Sequence, residues 1–185
     1  YGALISLTRK PPLKIYSLGF QPARSIPEIP RWFLTKYADL PFTVADPFAG
    51  SGTTIIESLL RGAKVYWFDY HPLSQLICRI KTRISLPNKI LTDAELLLSG
   101  AYKVRHAPRK IDFANKDFWF QQPVQEALEI LRELIQATDS NTQLVLWLAF
   151  TLTVRKCSDM NAAMLLAAKR SHIEKIPKRT RPDVF

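Results

Sequence analysis

Nine residues constrain this chain more than any others: Asp46-Pro47-Phe48-Ala49-Gly50-Ser51-Gly52-Thr53-Thr54. Before them runs the short apolar stretch Phe42-Thr43-Val44-Ala45, read as a buried strand that ends at Asp46. From Thr53 to Arg61 the residues Ile55, Ile56, Leu59 and Leu60 recur at helical spacing, and Gly62 stands where a C-terminal cap belongs. Lys64-Val65-Tyr66-Trp67-Phe68 reads as a second strand closing on Asp69, and Pro72 to Lys81 as a helix with proline at its start. A strand-turn-helix-strand-helix run builds a parallel sheet covered by helices, so the expected class is α/β. Beyond Thr82 the chain is read as helical. Thr92 to Val104, Pro123 to Ala137 and Thr142 to Lys156 each carry a 3.6-residue periodicity, and a last helix is expected around Asn161 to Ser171.

The turn itself limits the chemistry. Gly50 and Gly52 let the backbone turn tightly and come close to a ligand with no Cβ in the way. The helix that follows points its free N–H groups and positive dipole end into the same crevice. In open α/β sheets ligands sit outside the carboxyl ends of the strands, where this turn lies. A phosphate-cradling loop would need a lysine after Gly52, and Thr53 is there instead. The dinucleotide fingerprint would need a third glycine at position 55, which is Ile55. The pattern Asp-Pro-Phe-x-Gly-x-Gly-Thr is matched in full.

That pattern resembles the cofactor motif of amino-methylating DNA methyltransferases, which act on adenine N6 or cytosine N4. Phe20-Gln21-Pro22-Ala23-Arg24-Ser25-Ile26-Pro27 is similar to the family segment that closes over the cofactor, and Phe68-Asp69-Tyr70-His71-Pro72-Leu73 to its second strand end. Asn115 to Phe120 and Arg155 to Asp159 resemble a helical insertion of some members. The resemblance implies a partial Rossmann-like methyltransferase fold followed by a helical region, with S-adenosyl-L-methionine as cofactor. It divides the chain into a basic, proline-rich segment over 1–40, a cofactor-binding core over 41–83, a helical subdomain over 84–170 and a basic tail over 171–185.

It also implies a cofactor site made of Phe20, Asp46, Phe48, Ala49, Gly50, Gly52, Thr53, Asp69, Tyr70 and Leu73. Asp69 has acceptor oxygens and no donors, which suits two ribose hydroxyls; the plain alternative is a solvent-facing acid at a strand end. Asp46 either orients the turn by accepting its N–H groups or approaches the methionine end of the cofactor. Phe20 and Phe48 pack on the cofactor or in the core, Tyr70 and Leu73 flank its adenine or pack, and His71 is a turn residue.

The family's second motif is absent. An Asp/Asn/Ser-Pro-Pro-aromatic tetrapeptide, which would hold the flipped base, occurs nowhere; the one Pro-Pro pair, Pro11-Pro12, lies between Lys10 and Leu13. The expectation is therefore part of a longer enzyme or one half of a split enzyme, with a second polypeptide supplying the base-holding and recognition residues. An RNA guanine-amine methyltransferase, which often has an acid in the following helix like Glu57, and a non-catalytic binding module are the alternatives. Methyl transfer from a sulfonium is a direct displacement and calls for no metal.

Composition fits a nucleic-acid partner. Lys and Arg number 26 against 16 Asp and Glu, a net charge of +10, which draws polyanions toward the chain. Arg9, Lys10, Lys14 and Arg24 at one end, and Lys178, Arg179 and Arg181 at the other, are the expected phosphate contacts, the latter on a tail read either as mobile or as passing into a missing segment. Cys78 and Cys157 lack metal-ligand or disulfide spacing, which fits a reducing bacterial cytoplasm. The run Leu144 to Val154 is about half the ~20 residues of a membrane span and is read as a core helix.

Overall fold

The computed structural model describes residues 7, 13–18, 25–83, 87–108, 110–160 and 178–185. The chain divides into two compact units, Tyr1–Ile84 and Ser85–Phe185.

In the first unit a 3₁₀ turn at Lys14–Ser17 precedes α1 (Glu28–Tyr37), β1 (Thr43–Asp46), α2 (Thr53–Leu59), β2 (Lys64–Trp67) and α3 (Pro72–Thr82). The two strands pair in parallel, Thr43 with Lys64 through Asp46 with Trp67. α2 is the crossover between them. It stops two residues before the expected Arg61, because the N–H groups of Arg61 and Gly62 already turn back to the carbonyls of Ser58 and Leu59 at 3.1 and 2.9 Å. Inside the sheet-helix layer, Ala49, Ile55 and Cys78 form a buried cluster on which Val65 and Trp67 pack.

The first strand, expected to be buried, is covered on one face only, as is the second. Val44, Asp46, Val65 and Trp67 point to the helical side and are half-buried, whereas Thr43, Ala45, Lys64 and Tyr66 alternate with them and are exposed. The reason is the size of the sheet: among the described residues it has two strands, and one of its faces is bare. Period-2 alternation follows from the pleat itself.

The second unit is helical: α4 (Pro87–Lys103), α5 (Lys116–Trp119), α6 (Gln122–Gln136) and α7 (Ser140–Cys157), then a 3₁₀ turn at Arg181–Asp183. No strand occurs among its described residues. α4 starts five residues before the expected Thr92, since proline suits a first helical turn and Thr92 is an interior position whose hydroxyl donates back to the Asn88 carbonyl at 3.1 Å. The expected helix around Asn161 to Ser171 lies outside the described residues. α7 is capped by Asp139, which accepts from the N–H groups of Asn141 and Thr142. The apolar stripe of α6 (Val124, Ala127, Leu128, Leu131) meets Ala101 of α4, Cys157 of α7 and Val184 in one core. No helix among the described residues is long and apolar enough to cross a membrane.

Residues 178–185 correct the expectation of a mobile tail. Val184 is buried, and the Phe185 ring stands edge-on to Tyr102 with centroids 5.1 Å apart. An amphipathic end had been hidden by its arginines: the apolar Val184 and Phe185 decide where it packs.

Candidate functional site

The two strand ends and the turn between them are tied into one body by backbone and carboxylate hydrogen bonds. The Phe68 N–H donates to the Asp46 carbonyl at 2.9 Å, and the Ala49 N–H to the Phe68 carbonyl at 3.0 Å. Asp69 then joins both sides. One of its oxygens accepts from the Gly50 N–H and the other from the His71 N–H, each at 2.7 Å. The His71 bond, followed by that from Gly50, holds the Asp69 carboxyl below the usual carboxylate range against the opposing effect of burial. Asp46 accepts from the Phe48 N–H at 3.1 Å.

Gly50 and Gly52 both lie in the left-handed region, at φ +52° and +78°, and the Gly52 N–H donates to the Ala49 carbonyl at 2.7 Å. Gly52 is also close to α3: a Cβ there would stand 3.2 Å from Cys78 Sγ. The turn is clamped from below. Lys81 is buried and its Nζ donates to the Ser51 carbonyl at 2.8 Å, while Gln75 Nε2 donates to the Asp69 carbonyl at 2.8 Å. Burial pushes the Cys78 thiol up to about 11, so it is a packing group and not a nucleophile at neutral pH.

Ala49 and Thr53 are buried in this body, and Leu73 is half-buried beside it. Phe48 and Tyr70 are 87% and 92% exposed, which excludes core packing for both rings. Such large apolar surfaces left open next to a glycine turn are what a ligand would cover. His71 is a turn residue, capping α3 by accepting the Leu73 N–H on Nδ1 at 3.2 Å. Phe20 lies outside the described residues.

Sequence reading missed Lys81 and Gln75. The signal was present for the first: Ser74, Ile77, Cys78 and Lys81 share one face of α3, so a lysine sits in a buried stripe. Glu57 turns away from the crevice. It is 3% exposed, accepts from Tyr16 Oη at 2.5 Å, and takes two bonds from Arg31, from Nε at 3.0 Å and from Nη2 at 2.6 Å. Burial and that bond hold the Tyr16 hydroxyl well above its usual range. The network fixes the 3₁₀ turn and α1 to α2, and the Thr53 hydroxyl reaches the Ser25 carbonyl at 3.4 Å.

Of the basic residues, Arg9, Lys10 and Arg24 lie outside the described residues; Lys14 and Lys178 are exposed. Arg179 and Arg181 are engaged within the protein. Arg179 donates to the carbonyls of Lys156 (3.1 Å), Ser158 (3.3 Å) and Cys157, closing the C-terminal end of α7. Arg181 grips the Glu126 carboxylate through two nitrogens at 2.7 and 3.1 Å. Both guanidinium groups thus carry bonds within the helical unit. Among the described residues no cluster of His, Cys, Asp and Glu could hold a metal ion.

No family model matches the chain, and no solved structure matches it. It is similar to the Type II methyltransferase M.MvaI of Kocuria varians, 31% identical over 153 residues, which is 75% of this chain and 33% of that protein. It is also 32% identical over 71 residues to the Type II methyltransferase M.MjaII of Methanocaldococcus jannaschii, 37% of this chain and 13% of that protein. The chain thus spans about one third of the length of the first of these and less of the second. With the full glycine motif set at the carboxyl ends of two parallel strands, and this likeness over three quarters of its length, the chain is a relative of the Type II methyltransferases.

Proposed function

We propose that this chain is the S-adenosyl-L-methionine-binding part of a DNA methyltransferase that methylates an exocyclic amine of adenine or cytosine. The observation that carries the reading is Asp69, which bonds Gly50 across the crevice and so sets a strand-end carboxylate against the glycine turn. A carboxylate has about four lone-pair sites, and Asp69 commits three of them, to the N–H groups of Gly50 and His71 and to the Ser74 side chain. The remaining capacity suits a ribose hydroxyl. Phe48, Tyr70 and Leu73 supply apolar surface for an adenine ring, and the backbone of Ala49, Gly50 and Gly52 supplies close approach.

When bound, the cofactor would supply a methyl group on a sulfonium, which an amine would take by direct displacement, with a thioether as leaving group and loss of one amine proton. The part played by these residues is to hold and orient, and positioning of this kind lowers the barrier. The residues that grip the base come from sequence outside these 185 residues, in the same polypeptide or a second one. Exposed Lys14 and Lys178 contribute to sequence-independent contact with phosphates.

Calorimetric titration of the chain with S-adenosyl-L-methionine tests the reading. Asp69→Ala should weaken binding at least about tenfold, the equivalent of ~1.4 kcal/mol. Tyr70→Ala, which removes an exposed ring and leaves the core intact, should weaken it too. Unchanged affinity in both variants would remove this crevice as the site.

A further inference from the structure

The helical unit contains a cavity of about 140 Å³ that the cofactor reading does not use. Its walls are Phe113, Phe120, Phe150, Leu128 and Val154, and three polar side chains, Lys116, Gln125 and Glu129, join them. Glu129 is 7% exposed, on the buried side of α6 between Leu128 and Ile130. An apolar residue there would avoid the cost of taking a carboxylate out of water.

Part of that cost is met locally: the Ile111 N–H donates to Glu129 Oε1 at 2.8 Å. Among the described residues no other group donates to this carboxylate. Lys116 also lines the cavity but is directed elsewhere, with its Nζ 3.6 Å from Asp112 Oδ1 and 3.5 Å from the Ile111 carbonyl. Gln125 is held at the wall by its Nε2, which donates to Asp117 Oδ1 at 2.8 Å and to the Phe120 carbonyl at 2.9 Å. The cavity thus combines flat apolar walls with a carboxylate of spare capacity. Half-exposed Phe113 keeps it within reach of solvent.

We propose that this cavity binds a single six-membered aromatic ring bearing an N–H donor, of the aminopyrimidine class, with the donor on Glu129. Size sets the ring count, because an apolar cavity of about 150 Å³ holds benzene. A fused two-ring purine exceeds it. Aromatic walls favour a flat ring, which they meet edge-on or offset. The acceptor-only carboxylate sets the polarity of the ligand edge. Such a ring comes either as a free small molecule or as an unstacked base of a nucleic acid, and the two share this chemistry.

The test uses the whole chain and ligand-observed NMR titrations with 2-aminopyrimidine, pyrimidine and 2-aminopurine. 2-Aminopyrimidine should bind about tenfold or more tightly than pyrimidine, as expected for a hydrogen bond to a charged group. 2-Aminopurine should not bind. Glu129→Leu should bring the affinities of the two pyrimidines together, and Val154→Phe, which fills the cavity and keeps the carboxylate, should abolish both. Thermal unfolding of each variant confirms that it is folded. Equal affinity of the wild-type chain for the two pyrimidines, or binding that survives Val154→Phe, overturns the proposal. Competition against 2-aminopyrimidine then separates the sources. Displacement by a duplex with one bulged cytosine, but not by its fully paired counterpart, identifies the ring as a base in nucleic acid; displacement by neither identifies a free small molecule. None of these measurements involves the cofactor, so they stand or fall apart from the reading of the first unit.

Discussion

Gly52 combines two constraints that a side chain cannot meet at once: a φ of +78° and a neighbour, Cys78 Sγ, 3.2 Å from where its Cβ would be. Gly52→Ala is expected to destabilise the first unit by about 1–3 kcal/mol, read by urea unfolding, and to remove cofactor binding. Asp69 makes a pH prediction. Its carboxyl lies below the ordinary range when folded, so the stability it contributes is present above that range and is lost as pH falls through the depressed value. Acid unfolding of Asp69→Asn should therefore show a shallower loss than wild type on descending below the ordinary carboxylate range; parallel curves would refute the linkage. Cys78 and Cys157 are buried thiols raised by burial, and an Ellman assay on the native chain should find both unreactive until it unfolds.

At the scale of elements, the first unit depends on how α1 is tied to α2. Arg31 and Tyr16 converge on Glu57, a carboxylate that has left water almost completely. Arg31→Met leaves that charge with one partner fewer and should cost about 2–3 kcal/mol, less than a fully buried pair because 29% of the Arg31 side chain stays exposed. Replacing Glu57 by Met as well should recover part of the loss, and a double-mutant cycle of the chain measures it. The position of Glu57 on the helix after the glycine turn was legible in sequence. Its direction was not, since its partners lie 26 and 41 residues upstream. The helices of the second unit were legible from their apolar periodicity, with ends misplaced by a few residues where proline, hydroxyl back-bonding and caps decide.

For the whole molecule, the end of the chain matters more than its composition suggests. Arg179 closes α7, Arg181 holds Glu126 and Val184 enters the core of the helical unit. Removal of residues 178–185 should cost that unit about 2–4 kcal/mol, the burial of one aliphatic side chain plus a helix cap, seen as a lowered midpoint in thermal unfolding. A chain truncated at residue 177 with an unchanged midpoint would show that the contacts carry no stability. The net positive charge favours a polyanionic partner.

The glycine turn, the two parallel strands and the strand-end acids could be read from residue order, because turn geometry, pleat alternation and helix periodicity are local properties of a few neighbouring residues. Burial of Lys81 beneath Ser51, the inward course of Glu57, the structural use of Arg179 and Arg181, and the exposure of Phe48 and Tyr70 could not. Each depends on which distant segment packs opposite, and a charged or aromatic side chain looks the same in sequence whether it faces water or a partner. The same holds for the bare face of the sheet: alternation shows that a strand has two sides, and only packing shows which of them is covered.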